Sequence, residues 1–138
     1  MKINRFNPAA QRKENVFFIQ SHGYHAGRPL REPIPNSWQI ETKNPRAFEL
    51  CFMLYKSRFL KNHIRGSVIP FIALHEYRKI LNKILDNPVQ TDEEVQKKLK
   101  GLTLSTKAIE EQQKKLTYFL ELQNLFASEL LKTFSNDF

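Results

Sequence analysis

The 138-residue sequence predicts an α+β fold, mostly α: a short N-terminal antiparallel β element packed on a bundle of three to four helices, in one domain. Three observations carry this. Val16–Gln20 is β-branched and aromatic, and Ser37–Thr42 alternates apolar with polar residues, the period of a half-buried strand. Between them, residues 21–36 hold Gly23, Gly27, Pro29, Pro33 and Pro35, a density that predicts a long loop. From Asn44 onward apolar residues recur at helical spacing.

Taken in order, residues 1–14 are basic and polar, with Ile3 and Phe6 as apolar anchors, and suit either a flexible basic arm or a short edge strand. Asn44 is placed to cap a helix whose first residue is Pro45, and the pattern carries that helix to about residue 62. It is apolar nearly all round from Ala47 to Tyr55, which predicts a central helix burying Phe48, Phe52, Tyr55 and Phe59. Gly66 and Ser67 then break the chain before a helix over 68–86, with Ile69, Ile72, Ala73, Tyr77, Ile80 and Ile84 on its dry face. Thr91 and Glu94 have the spacing of a capping box for a short helix over 92–100, which Gly101 is expected to stop. Ser105 or Thr106 opens a last helix over 106–134. Its main stripe, expected to be buried, is Ile109, Leu116, Phe119, Leu120, Phe126, Ala127, Leu130 and Phe134.

Composition narrows the class. With 41% hydrophobic residues and sixteen Phe, Tyr and Trp, the chain is not a disordered segment. The lone Cys51 excludes an internal disulfide, and its neighbours Leu50, Phe52, Met53 and Leu54 mark it as a small buried hydrophobe. No secretory signal and no membrane-length apolar stretch is present, so the expectation is a cytoplasmic protein without a membrane anchor.

The charge is less ordinary. Residues 1–65 carry twelve Lys and Arg against four Glu, whereas residues 66–138 carry ten basic and ten acidic residues, so the first part holds the whole +8. Seven of eight arginines lie there. A fold does not require that imbalance, which points to an anionic partner. The loop from Ser21 to Arg31 is the best candidate site: His22, Tyr24, His25, Arg28 and Arg31 sit on backbone that glycine lets approach a ligand closely. Lys56, Arg58, Lys61 and Arg65, at the end of the central helix, are expected to extend it. Arg5, Arg12, Lys13, Lys43 and Arg46 add to the basic face.

His22 and His25 lack the further ligands of a metal centre, His75-Glu76 has Lys79 where a zincin motif needs histidine, and no phosphate-binding loop or dinucleotide fingerprint occurs. No metal and no cofactor is expected. The leading reading is therefore a non-enzymatic module that binds nucleic acid or another polyanion through its first 65 residues. One alternative is an enzyme acting on a phosphate-bearing substrate at the 21–31 loop, with a histidine as general acid or base. The other is an accessory protein that meets a protein partner, or a second copy, through a strip of the last helix formed by Tyr118, Leu122 and Leu125.

Overall fold

The computed structural model describes residues 1–10 and 13–135, so Arg12 of the expected basic face lies outside the described residues. They form two compact units, divided between Leu99 and Lys100. The α+β class holds, with a four-stranded antiparallel sheet near the N-terminus and three α-helices among the described residues.

In the first unit, β1 (Lys2–Arg5), β2 (Val16–Gln20), β3 (Pro29–Leu30) and β4 (Ser37–Glu41) form one sheet in the order β1-β4-β2-β3. The N-terminal segment is thus an edge strand, with Ile3 opposite Ile40. In the centre of the sheet Phe17 faces Ile40 and Ile19 faces Trp38. Alternation then decides the faces. Ile3, Phe17, Ile19, Trp38 and Ile40 join the core formed with the helices. Phe18, on the opposite face, is covered by Phe6 at 5.5 Å, edge to face.

Helix α1 (Ala47–Lys56) begins two residues later than expected, with Arg46 and not Asn44 at its cap. Asn44 instead forms the turn before it, its Oδ1 accepting from the Arg46 amide at 2.9 Å and its carbonyl from the Ala47 amide at 3.2 Å. The expected run to residue 62 is cut short. Arg58 adopts the left-handed conformation (φ 61°) just past the helix end, and Phe59–His63 continue as a 3-10 turn. The buried face of α1 is also rotated from the one expected. Ala47, Leu50, Cys51 and Leu54 are buried, Phe48, Phe52 and Tyr55 are half-buried, and Phe59 is exposed. An all-round apolar helix has no sequence-encoded face; the sheet chooses one, and the small Ala47 and Cys51 permit the closest approach.

Residues 68–73, expected to be helical, instead form a hairpin of β5 (Ile64–Arg65) and β6 (Phe71–Ile72). Gly66, at φ 90°, makes its turn, because a Cβ there would lie 2.5 Å from the Ile69 carbonyl oxygen. Helix α2 (Leu74–Leu85) follows and buries Tyr77 and Leu81. Ile69, placed on its dry face by periodicity, is exposed in the hairpin. Arg78 Nη2 donates to the Ile3 carbonyl at 3.0 Å, tying α2 to the edge strand.

Helix α3 (Glu93–Phe134) is one 42-residue element, not the two expected. Gly101 stays helical; a lone glycine costs about 1 kcal/mol in a helix but does not end one. Its cap is Asp92, whose Oδ1 accepts from the Glu94 and Val95 amides, while the Thr91 hydroxyl turns back to the Pro88 carbonyl. Lys98 pairs with Glu94 at 2.7 Å one turn away. In the second unit the stripe expected to be buried is not: Ile109, Leu116, Phe119, Leu120, Phe126, Leu130 and Phe134 are all exposed. No helix is long and apolar enough to cross a membrane among the described residues.

The core contains one polar pair with consequences for pH. Burial pushes the Cys51 thiol up to about 12, and the Tyr77 hydroxyl, buried beside it, is raised well above its ordinary value first by burial and then by Cys51. Both core groups are held protonated. Below the ordinary thiol value of 9.0 the folded and unfolded chains both keep the Cys51 proton, and stability is at its full value. Above it only the unfolded chain releases the proton, so stability falls by about 1.4 kcal/mol per pH unit up to the folded value. The urea midpoint should therefore drop between about pH 8.5 and about pH 11. Cys51→Ala should remove most of the early part of that drop, whereas an unchanged slope in the variant would assign it to other groups.

Candidate anion-binding groove

The loop between β2 and β3 is not structureless. Gly27 N donates to the Gln20 carbonyl at 2.7 Å, Gln20 N to the Arg28 carbonyl at 2.9 Å and Ala26 N to the Gly23 carbonyl at 3.0 Å. Gly23 N also reaches the Pro70 carbonyl at 2.7 Å, which docks the turn on the β5–β6 hairpin. Gly27 itself, at φ 89°, lies against Leu60 and Ile72. The turn is thereby held against the segment that follows α1, and Tyr24 and His25 come to face that segment's cations.

Their meeting place is a groove of about 490 Å³. Tyr24, His25, Tyr55, Lys56, Arg58 and Lys61 line it, over a floor of Ala26, Leu60, Ile64 and Pro70. No carboxylate is among these residues. His25 Nδ1 and the Tyr55 hydroxyl are 2.8 Å apart, so each fixes the other's orientation. Tyr24 packs edge-on to His25 at 5.1 Å between ring centres and is 88% exposed, an aromatic face offered to solvent. The Lys56 ammonium lies 5.6 Å from the Phe52 ring centre, leaving its donors toward solvent. Arg58 holds a position where helices favour glycine or asparagine. The left-handed backbone costs roughly 1 kcal/mol there.

The other expected site residues are distributed elsewhere. Arg28 Nη2 donates to Gln20 Oε1 at 3.1 Å, and its Nε is buried without a partner, so this arginine braces the turn from within. Arg31 lies 3.6 Å over the Phe48 ring, on a separate concavity of about 960 Å³ that also includes Lys2, Lys43, Glu14 and Glu41. That surface is of mixed sign, and Lys13 reaches over it to Glu41 at 2.9 Å, holding the Glu41 carboxyl below its ordinary value. His22 lines a third concavity with Arg5, Phe6 and Trp38; its Nδ1 is 2.7 Å from the Ser21 hydroxyl and its ring stacks on Phe71. Arg65 is paired with Glu76. The structure thus gathers Tyr24, His25, Lys56, Arg58 and Lys61, and separates His22, Arg28, Arg31 and Arg65 from them.

Tyr55 is the groove residue that sequence reasoning placed in the core. The all-round apolar run from Ala47 to Tyr55 suggested a buried ring; the ring is half-buried and its hydroxyl meets His25. Among the described residues no group of three His, Cys, Asp or Glu is placed to hold a metal ion. In the second unit Tyr118 and Leu125 are exposed and Leu122 is half-buried.

No curated protein and no solved structure matches the chain. One family model does, over residues 3–129, described as a family of unknown function (DUF6943). The match spans both units and most of the sequence.

Proposed function

The chain belongs to this family of unknown function, and from its own residues we propose that it is a non-enzymatic module that binds a polyanion, nucleic acid in the first place, in the groove between the 21–28 turn and the end of α1. The observation that carries this is the convergence of Lys56, Arg58 and Lys61 with an 88% exposed Tyr24 and the His25–Tyr55 pair, on a lining without a carboxylate. Cations along a groove supply phosphate affinity, and an exposed aromatic face supplies base stacking that tolerates any sequence. The net charge of +8 steers such a ligand from a distance.

A second reading, chemistry on a phosphate-bearing substrate at the same turn, is favoured by the hydrogen bond that orients His25 against Tyr55. Turnover of a chromogenic phosphodiester that disappears in His25→Ala separates it from simple binding.

The test is the salt dependence of binding to labelled single-stranded and double-stranded RNA and DNA. Lys56→Ala with Lys61→Ala should lower the slope of log K against log salt by about 1.5–2, the share of two phosphate contacts. Arg58→Gly gives a cleaner dissection, because it removes a third cation while relieving the left-handed backbone. Its expected outcome is weaker binding at equal or higher thermal stability. Binding that keeps its slope in both variants places the anion site elsewhere on the protein.

A further inference from the structure

We propose that residues 100–134 of α3 form an antiparallel two-stranded coiled coil with a second copy of this chain, in a register whose two-fold axis passes between the helices at the level of residue 118. The segment exposes Ile109, Leu116, Phe119, Leu120, Phe126, Leu130, Leu131 and Phe134, each more than half accessible, besides Leu104, Tyr118 and Leu125. Together the first eight present on the order of 1,000 Å² of apolar side chain, against about 300–600 Å² for the largest patch of an ordinary monomer. A stable interface takes about 800 Å² from each partner. The available area therefore matches a dimer.

The spacing matches as well. Leu102, Thr106, Ile109, Gln113, Leu116, Leu120, Gln123, Ala127, Leu130 and Phe134 follow one another at alternating steps of four and three without a break. That 3.5-residue repeat makes a left-handed coiled-coil seam. Gln113 and Gln123 occupy the two seam positions with long polar side chains, and they select the register. When the helices run antiparallel with Gln113 opposite Gln123 of the second copy, the other layers follow: Leu116 against Leu120, Ile109 against Ala127, Thr106 against Leu130 and Leu102 against Phe134. Sliding either helix by a heptad sets each glutamine against another residue type. This same register overlaps the whole of 102–134 with itself, and it brings Phe119 of the two copies together beside the axis, with the Thr117 pair on the other flank.

Charge favours the antiparallel sense. Residues 1–99 carry seventeen Lys and Arg against nine Asp and Glu, a net of +8, whereas residues 100–138 carry five against five. Parallel pairing would hold two +8 units at one end of the coiled coil; antiparallel pairing attaches them at opposite ends. Tyr118, Leu122 and Leu125 lie off the seam and are not covered by this pairing.

The full-length chain provides the test. Sedimentation should give a dimer. Thr117→Cys should form a disulfide-linked dimer on mild oxidation, because the two copies of this residue flank the axis, whereas Ile109→Cys should not, its two copies lying roughly 27 Å apart along the helices. The native Cys51 is buried and held protonated, so it stays silent in both. Leu116→Glu combined with Leu120→Glu should halve the sedimenting mass while the near-ultraviolet signal of the single Trp38, buried in the first unit, is unchanged. A wild-type monomer at tens of micromolar, or a cross-link through residue 109 and none through 117, overturns the proposal.

Discussion

Tyr77→Ala is expected to cost about 3–5 kcal/mol, the range for removing a buried aromatic ring, and to be the most damaging single truncation in the first unit. Tyr77 is fully buried in α2 and packs against Trp38 of β4 at 5.4 Å between ring centres, with Cys51 of α1 beside its hydroxyl. One side chain thus joins the sheet and both helices that cover it, so its truncation to alanine leaves a void where they meet. The contrast is Tyr77→Phe. The hydroxyl lies beside the Cys51 sulfur, a weak hydrogen-bonding partner, so its removal should change stability by less than about 1 kcal/mol in either direction. Denaturant melts of the two variants decide the matter. A costly Tyr77→Phe would show that the contact with the Cys51 sulfur is worth more than a thiol usually contributes.

Gly27→Ala should be the next most damaging, at about 2–4 kcal/mol, because two separate penalties act at one atom. At φ 89° an L side chain is strained whatever the space around it, and the new Cβ would sit 2.5 Å from Leu60 Cδ1 and 3.1 Å from Ile72 Cδ1. Those two side chains are almost wholly buried, so they have little room to move aside, and forcing a methyl into a filled core costs roughly 1–3 kcal/mol on its own. The same collision touches function, since the 21–28 turn carries Tyr24 and His25 into the groove. At temperatures where the variant is still folded, it should bind polyanion more weakly than Lys56→Ala, although it removes no charge. Gly27→Ala with wild-type stability would mean that the turn is not held against Leu60.

Two of the corrected expectations share one cause. The helix expected over 68–86 and the burial of the last stripe both came from apolar periodicity, which reports that a face prefers to be dry and not what dries it. Val68, Ile69, Phe71 and Ile72 satisfy a helical spacing as readily as a hairpin. Pairing β6 with β5 and the bridge from His22 to Phe71 decide in favour of the hairpin, and neither can be read locally. In α3 the stripe was expected to be buried against a neighbour, and its residues are exposed.

What the sequence determined by itself is the local chemistry. β-Branched and aromatic composition set strand 16–20, alternation set strand 37–41 almost to the residue, and the Leu50–Leu54 run put Cys51 in the core, whereas α1 starts two residues later than Asn44 and Pro45 implied. The charge asymmetry and the glycines of the 21–28 turn were equally legible. The tertiary structure decided which cations share a surface. Arg28 and Arg31 are three residues apart, yet Arg28 turns inward to Gln20 and Arg31 lies over Phe48, while Lys56 and Lys61, some thirty residues further along, join His25. The reason is that a side chain's direction depends on strand register and helix rotation. Both are set by how sheet and helices pack together, and sequence spacing within the turn does not contain that information.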